Sequence, residues 1–138
     1  MSVLALDVGE RRIGVAVSDP SETFSLPLEV IERSELRADV ARIVALARER
    51  GADVIVVGDP IKLRGNRGEA SARIDRFVES LAEGWDGRIE RVDERLTTAQ
   101  ATRSLLEADV SRKRRRQVVD KLAAALILDT YLARRRPR

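Results

Sequence analysis

Val3-Leu4-Ala5-Leu6-Asp7-Val8-Gly9 is a near-continuous apolar run that closes on a carboxylate, and Ile13-Gly14-Val15-Ala16-Val17-Ser18-Asp19 follows it across a short Gly-Glu-Arg-Arg turn. Two apolar runs joined so tightly read as antiparallel core strands. An ionised carboxylate at the end of such a strand needs a partner, because burying an unpaired charge is costly or forces the group to neutralise. Two other places offer acids of the same kind: Asp93-Glu94, closing the alternating stretch from Ile89, and Asp120, in the amphipathic run from Val118 to Leu132. Three acids on three core elements form the pattern of a divalent-metal site, for which Mg²⁺ or Mn²⁺ suits a set of carboxylate oxygens.

Working outward, strands are expected at about 2–8, 12–18 and 24–31, forming an antiparallel meander. A helix follows from about Ser34 to Arg50, with Leu36, Val40, Ile43, Val44 and Ala47 on one face, Ser34 as N-cap and Gly51 as terminator. Val54-Ile55-Val56-Val57 is β-branched and apolar on both faces, as a central parallel strand should be. A loop from Gly58 to Gly68 leads into a helix ending near Ala82, then a fifth strand at Ile89–Asp93. Helices from Thr98 to about Ala108 and from about Arg116 to Ala133 complete the order βββαβαβαα. That order predicts an α/β fold: a five-stranded mixed sheet with helices on both faces and strand 1 in the middle, beside Val54–Val57. Asp7, Gly58-Asp59 and Asp93-Glu94 then all lie at strand carboxyl ends, where open α/β sheets gather ligands.

The chain has 138 residues, no His and no Cys. A single domain spanning 1–138 is expected, and a Ser-His-Asp triad, a structural zinc site and a disulfide framework are excluded. No apolar stretch approaches the roughly 20 residues that span a bilayer, and the chain opens directly on a strand, so a cytoplasmic protein without membrane contact is expected. The formal net charge of +3 hides a division. Residues 1–110 carry 16 basic against 21 acidic side chains, and residues 111–138 carry 10 against 2. The excess sits in Arg112-Lys113-Arg114-Arg115-Arg116 and in Arg134-Arg135-Arg136 with Arg138, which are either phosphate contacts or a solvated loop and tail. Placed just before Asp120, the first run favours nucleic acid as the partner.

Each acid also has a plainer role open to it. Asp7 could fix the turn that follows it, Asp93 or Glu94 could pair with Arg91 or Arg95, and Asp120 could complement a helix dipole. Asp7, Glu94 and Asp120 are taken as the catalytic acids, with Asp93 alongside them as a metal-binding candidate. Candidate phosphate contacts are Arg11 and Arg12 on the first turn; Lys62, Arg64 and Arg67 in the glycine-containing 58–68 loop; and Thr98 at a helix N-terminus, where free amides favour anions. Arg112, Lys113, Arg114, Arg115, Arg116 and Lys121 join them. Thr97 is accounted for by a capping box with Gln100.

The motifs together strongly resemble the YqgF/RuvX family. They are Ala5-Leu6-Asp7-Val8-Gly9 with Arg11 to Ala16 and Ser18-Asp19; Val57-Gly58-x-Pro60 with Gly65 and Gly68; Asp93-Glu94-Arg95-Leu96-Thr97-Thr98; and Val119 to Ala124 with Ile127-Leu128 and Tyr131-Leu132. The resemblance covers nearly the whole chain in order. It implies a ribonuclease H-like fold whose clustered acids bind divalent metal for phosphodiester hydrolysis, either to mature the 5′ end of pre-16S ribosomal RNA or to resolve Holliday junctions in branched DNA. The loop after the fourth strand departs from the family: Asp59, Lys62 and Arg64 stand where members usually have Leu, Asn and Asp. Asp59 is then either a further metal acid or, more in keeping with its position, an ion-pair partner of Arg64 or Arg67.

The expected mechanism is in-line displacement assisted by two divalent ions roughly 4 Å apart, with no side-chain nucleophile. Aromatic residues make up 3% of the chain, so stacking platforms are few and backbone charge should dominate affinity. A non-catalytic RNA-binding factor is one alternative. Asp7-x-Gly9 with Gly14 also resembles the first phosphate loop of actin-like ATPases and sugar kinases, but a chain this short lacks their second lobe. The exposed faces of the 34–50 and 69–82 helices carry charge without aromatic or Met anchors, which suits a monomer or weak homodimer.

Overall fold

The computed structural model describes residues 2–59, 69–93 and 112–135, without the side chains of 69–70, 112–120 and 135. Its elements run β1 (Ser2–Val8), β2 (Arg12–Ser18), β3 (Ser25–Glu32), α1 (Leu36–Glu49), β4 (Ala52–Asp59), α2 (Glu69–Gly84), β5 (Arg88–Asp93) and α3 (Arg112–Arg135). The strands form one sheet in the order β3-β2-β1-β4-β5. β1 pairs antiparallel with β2 and parallel with β4, and β4 pairs parallel with β5. The expected mixed sheet with a central β1 is thus the observed one. The helix expected from Thr98 to Ala108 lies outside the described residues.

Alternation along the strands divides the interior into two cores. Leu4, Leu6, Val8, Ile13, Val15, Ile55 and Val57 face α1 and α2, where they meet Ile43, Ile74, Phe77 and Leu81. Val3, Ala5, Ala16, Val54, Val56 and Val92 face α3, against Ala124, Ile127, Leu128, Tyr131 and Leu132. The second surface is built from smaller strand residues, which lets the long helix approach the sheet. β1 is buried along its whole length.

Two local arrangements differ from expectation or go beyond it. Gly51 does end α1, at φ +68°, a left-handed conformation that costs glycine little. The N-cap position, however, is Glu35, which makes no side-chain cap bond. Ser34 acts one residue earlier: its amide and hydroxyl both donate to the carboxylate of Asp39, the hydroxyl at 3.0 Å. The acid in the first turn of α1 reaches back to the entering chain, reversing the expected direction of capping. In the β2–β3 connection, Asp19 Oδ1 accepts from the amides of Thr23 at 2.7 Å and Phe24 at 2.8 Å, and Oδ2 from the amide and hydroxyl of Ser21. The Phe24 amide, followed by the Ser21 hydroxyl, lowers the Asp19 carboxyl to about 2.

α3 begins four residues before the expected Arg116. The run Arg112 to Arg116 is therefore helical backbone and not a loop. Arg and Lys are good helix formers, and neither Gly nor Pro interrupts residues 112–135. No helix among the described residues is long and apolar enough to cross a membrane.

Candidate active site

The sequence at the end of β1 positions Asp7 by strand period alone. Val3 and Ala5 face α3, so Asp7 projects from that same face. It is 9% exposed. Its partner across the antiparallel ladder is Gly14, and on the other side Gly58 follows Val57, the partner of Leu6. Glycine at both flanking positions means that neither neighbouring strand sets a side chain beside the carboxylate. Arg12 is two residues from Gly14 and shares its face, diagonal to Asp7. Arg11 lies exposed on the turn, which is closed by a 2.8 Å bond from the Gly9 amide to the Arg12 carbonyl.

Asp59 and Asp93 belong to the opposite face. They are register partners at the ends of β4 and β5. Val56 and Val92 face α3, so Asp59 and Asp93, at odd spacing from them, face α1 and α2. Asp59 accepts from the Ser71 hydroxyl at 3.1 Å and pairs with Arg91 at 3.0 Å, while Arg91 also reaches Asp75 at 2.7 Å. Asp59 is thus ion-paired, to Arg91; the partners expected for it, Arg64 and Arg67, lie outside the described residues. The sheet separates both acids from Asp7.

Asp120 lies on α3, which covers the Asp7 face. At three, four, seven and eight residues before Ala123, Ala124, Ile127 and Leu128, it falls on the stripe that packs against the sheet. Lys121 is half-buried and one residue off that stripe. The backbone of Arg112, Lys113, Arg114, Arg115 and Arg116 is described, but their side chains and that of Asp120 are not. Glu94, Lys62, Arg64, Arg67 and Thr98 lie outside the described residues.

Among the described residues no group of three or more Asp, Glu, His or Cys side chains is assembled to hold a metal. The test of fit therefore rests on Asp7. Its oxygens are hard donors, no His or Cys competes for the ion, and glycines flank it where a cation and substrate need room. These features fit Mg²⁺ or Mn²⁺.

Sequence reasoning missed the support beneath this turn. Arg33 donates from Nη1 to the Gly9 carbonyl at 3.0 Å and from Nε to Asp39 at 2.9 Å, with its guanidinium 5.6 Å from the centre of the Phe77 ring. Asp39 is only 2% exposed, the mark of an acid held by fixed partners. An Arg just past a strand and an Asp in a first helical turn carry no motif, so only tertiary contact reveals them.

A central strand ending in an acid, with 3-2-1-4-5 strand order and a long helix across the acid's face, defines the ribonuclease H-like class to which known resolvases belong. The protein superposes on T. thermophilus RuvC in complex with a Holliday junction substrate with a TM-score of 0.58 at 16% identity, covering 98% of this chain and 97% of that one. It superposes on the fowlpox virus Holliday junction resolvase with a TM-score of 0.56 at 14% identity, covering 97% and 99%. The family described as "RuvX: Holliday junction resolvase" matches residues 1–134, and the chain belongs to it. A protein of Natranaerobius thermophilus named "Putative pre-16S rRNA nuclease" is 44% identical over 134 residues, 97% of this chain and 95% of that one. A protein of the same name from Symbiobacterium thermophilum is 47% identical over 138 residues, 100% of this chain and 96% of that one.

Proposed function

We propose that this protein is a divalent-metal-dependent nuclease that hydrolyses phosphodiester bonds and matures the 5′ end of pre-16S ribosomal RNA in the cytoplasm. The observation that carries the reading is Asp7: a buried acid at the carboxyl end of the central strand, flanked by glycines and facing the helix that bears Asp120. The names of relatives more than 40% identical support the RNA substrate. Asp7, Glu94 and Asp120 are the proposed metal ligands. Asp93 faces α1 and α2, on the side of the sheet away from Asp7, so Glu94 is the better candidate of the two. When bound, the cation supplies Lewis-acid stabilisation of the phosphoryl oxygens and a more acidic water.

The chain's own residues do the rest. The carboxylates fix where the scissile phosphate comes to rest, and the two glycines leave space for it. Arg11 and Arg12 hold flanking phosphates from the turn, while Lys121 offsets charge beside Asp120. The basic start of α3 draws the polyanion in. A second reading, Holliday junction resolution, is favoured by the description of the family itself.

The test is a metal titration with a nuclease assay on a defined pre-16S leader. Cleavage should require Mg²⁺ or Mn²⁺. Asp7→Asn should lower it by more than the roughly 10–100-fold that loss of a metal's outer-sphere partner costs. RNA binding should survive in that variant, because a negative charge has left a phosphate site. Full activity in excess EDTA, or normal turnover by Asp7→Asn, overturns the metal reading.

A further inference from the structure

Beyond the Asp7 face, the strand-end edge carries a cleft of about 260 Å³ lined by Glu10, Arg33, Ser34, Leu36, Arg73 and Arg76. We propose that this cleft is a phosphate-binding subsite that holds one backbone phosphodiester of the nucleic acid beside the one being cleaved. The proposal rests on the nuclease reading above for the identity of its ligand.

Three guanidiniums and one carboxylate line the cleft, and with Asp39 paired to Arg33 behind it a net positive charge remains. Arg33 is fixed before any ligand arrives. Asp39 holds its Nε, the Gly9 carbonyl takes one Nη1 proton, and the Phe77 ring lies against its plane. Of its five N–H donors, three remain without a protein partner among the described residues. Preorganised guanidinium forks of this kind recognise phosphate oxygens in pairs.

Arg73 and Arg76 supply the opposite wall. They are one turn apart on α2, on the same side of the helix, where like charges repel. Neither has an ion-pair or hydrogen-bond partner among the described residues. The Nε of Arg73 is buried with nothing to donate to among the described residues. A buried, unsatisfied charged donor is unfavourable in the free protein and becomes favourable once an acceptor fills the space. The positive end of the α2 dipole adds to the attraction, since α2 follows β4 and begins at the strand-end edge. The Ser34 hydroxyl, already oriented by Asp39, stands at the same rim.

Position selects a polynucleotide over a free anion. Arg33 donates to the carbonyl of Gly9, two residues beyond Asp7, so the cleft lies at the same strand-end edge as Asp7 but on the α1 and α2 side of the sheet, across the Gly9–Arg12 turn. A backbone whose scissile phosphate rests at Asp7 can pass over the Gly9–Arg12 turn and set a neighbouring phosphate among Arg33, Arg73 and Arg76.

The test measures binding separately from cleavage. Affinity for a single-stranded RNA oligonucleotide from the pre-16S leader is followed by fluorescence anisotropy across a salt titration, in the Asp7→Asn background. Arg73→Gln with Arg76→Gln should weaken binding roughly tenfold and flatten the plot of log K against log salt by about 0.7 for each phosphate that is no longer neutralised. Arg48→Gln with Arg50→Gln, the same charge change at the far end of α1, should do neither. In the protein with native Asp7, one neutral methylphosphonate placed next to the cleavage site should weaken binding to the native cleft and not to the Arg73/Arg76 variant. On the native cleft alone, a sensitive position in the methylphosphonate scan reads the subsite even if the double variant is unstable. Equal affinity and equal slope for both double variants, or a methylphosphonate scan without a sensitive position, overturns the proposal. If the scan finds the position but RNA is never cleaved with any metal, the subsite stands and the nuclease reading falls.

Discussion

At the scale of single residues, one carboxylate's direction decides what it can do. Asp7, Asp59 and Asp93 all close strands at the same edge, yet the two-residue period sends Asp7 to the α3 face and the other two to the α1 and α2 face. Their motifs were legible in the sequence; their faces follow from pairing register, which motifs do not state. Asp19 illustrates the opposite case, an acid within a family motif whose surroundings account for it structurally. Its folded carboxyl titrates at about 2, below the usual 3.8, because the Phe24 amide and Ser21 hydroxyl favour the charged form. A depressed folded value means that the ionised group stabilises the fold above about pH 4 and loses that contribution as pH falls towards about 2. The difference in urea stability between the native protein and Asp19→Ala should therefore be constant from about pH 7 to 5 and shrink between about pH 4 and 2. A difference that does not change over that range removes the carboxylate from the account of this turn.

At the scale of elements, the start of α3 is built against its own dipole. Its first turns carry Arg112, Lys113, Arg114, Arg115 and Arg116 and no acidic residue, where the positive helix end disfavours cations by about 0.3–1 kcal/mol each. Such a helix start gains from an anionic partner. Replacing the run with Gln should weaken RNA binding across all sequences and reduce the salt slope by up to about 0.7–0.9 log units for each phosphate that is no longer neutralised. Helical content, read by circular dichroism in the absence of RNA, should hold or rise. Unchanged affinity and slope would make the run a solvated helix end. The extra helical turn was not legible because charge suggested a loop, and helix propensity in a segment without Gly or Pro overrode that suggestion. Ser34 misled in a related way: it has the right chemistry for an N-cap, but the first-turn acid Asp39 bound it from the other direction.

At the scale of the molecule, the strand order was legible because short connections favour antiparallel neighbours and helical crossovers favour parallel ones. The Arg33–Asp39–Gly9 support was not, since its members are ordinary in type and Gly9 is far from the other two in the chain. Substrate choice is also a property of the whole molecule. Resolving a four-way junction takes two cuts related by a two-fold axis, and hence a self-complementary dimer surface. Phe24 and Leu26, about half exposed, are the large hydrophobics that the described residues leave in solvent, and the RNA-processing reading proposed above needs no dimer surface. At one salt concentration the protein should cut a pre-16S leader and run as a monomer or weak dimer by light scattering. Paired symmetrical nicks in a junction by a stable dimer, with RNA left intact, would reverse that order.

The central position of β1 has a kinetic meaning as well. Its amides are paired on both sides and roofed on both faces, so they can exchange with solvent only when the sheet itself comes apart. Asp7 rides on that strand. The acid around which the site is built is thereby carried on a strand paired on both sides, whereas the outer strand β3 has a neighbour on one side alone.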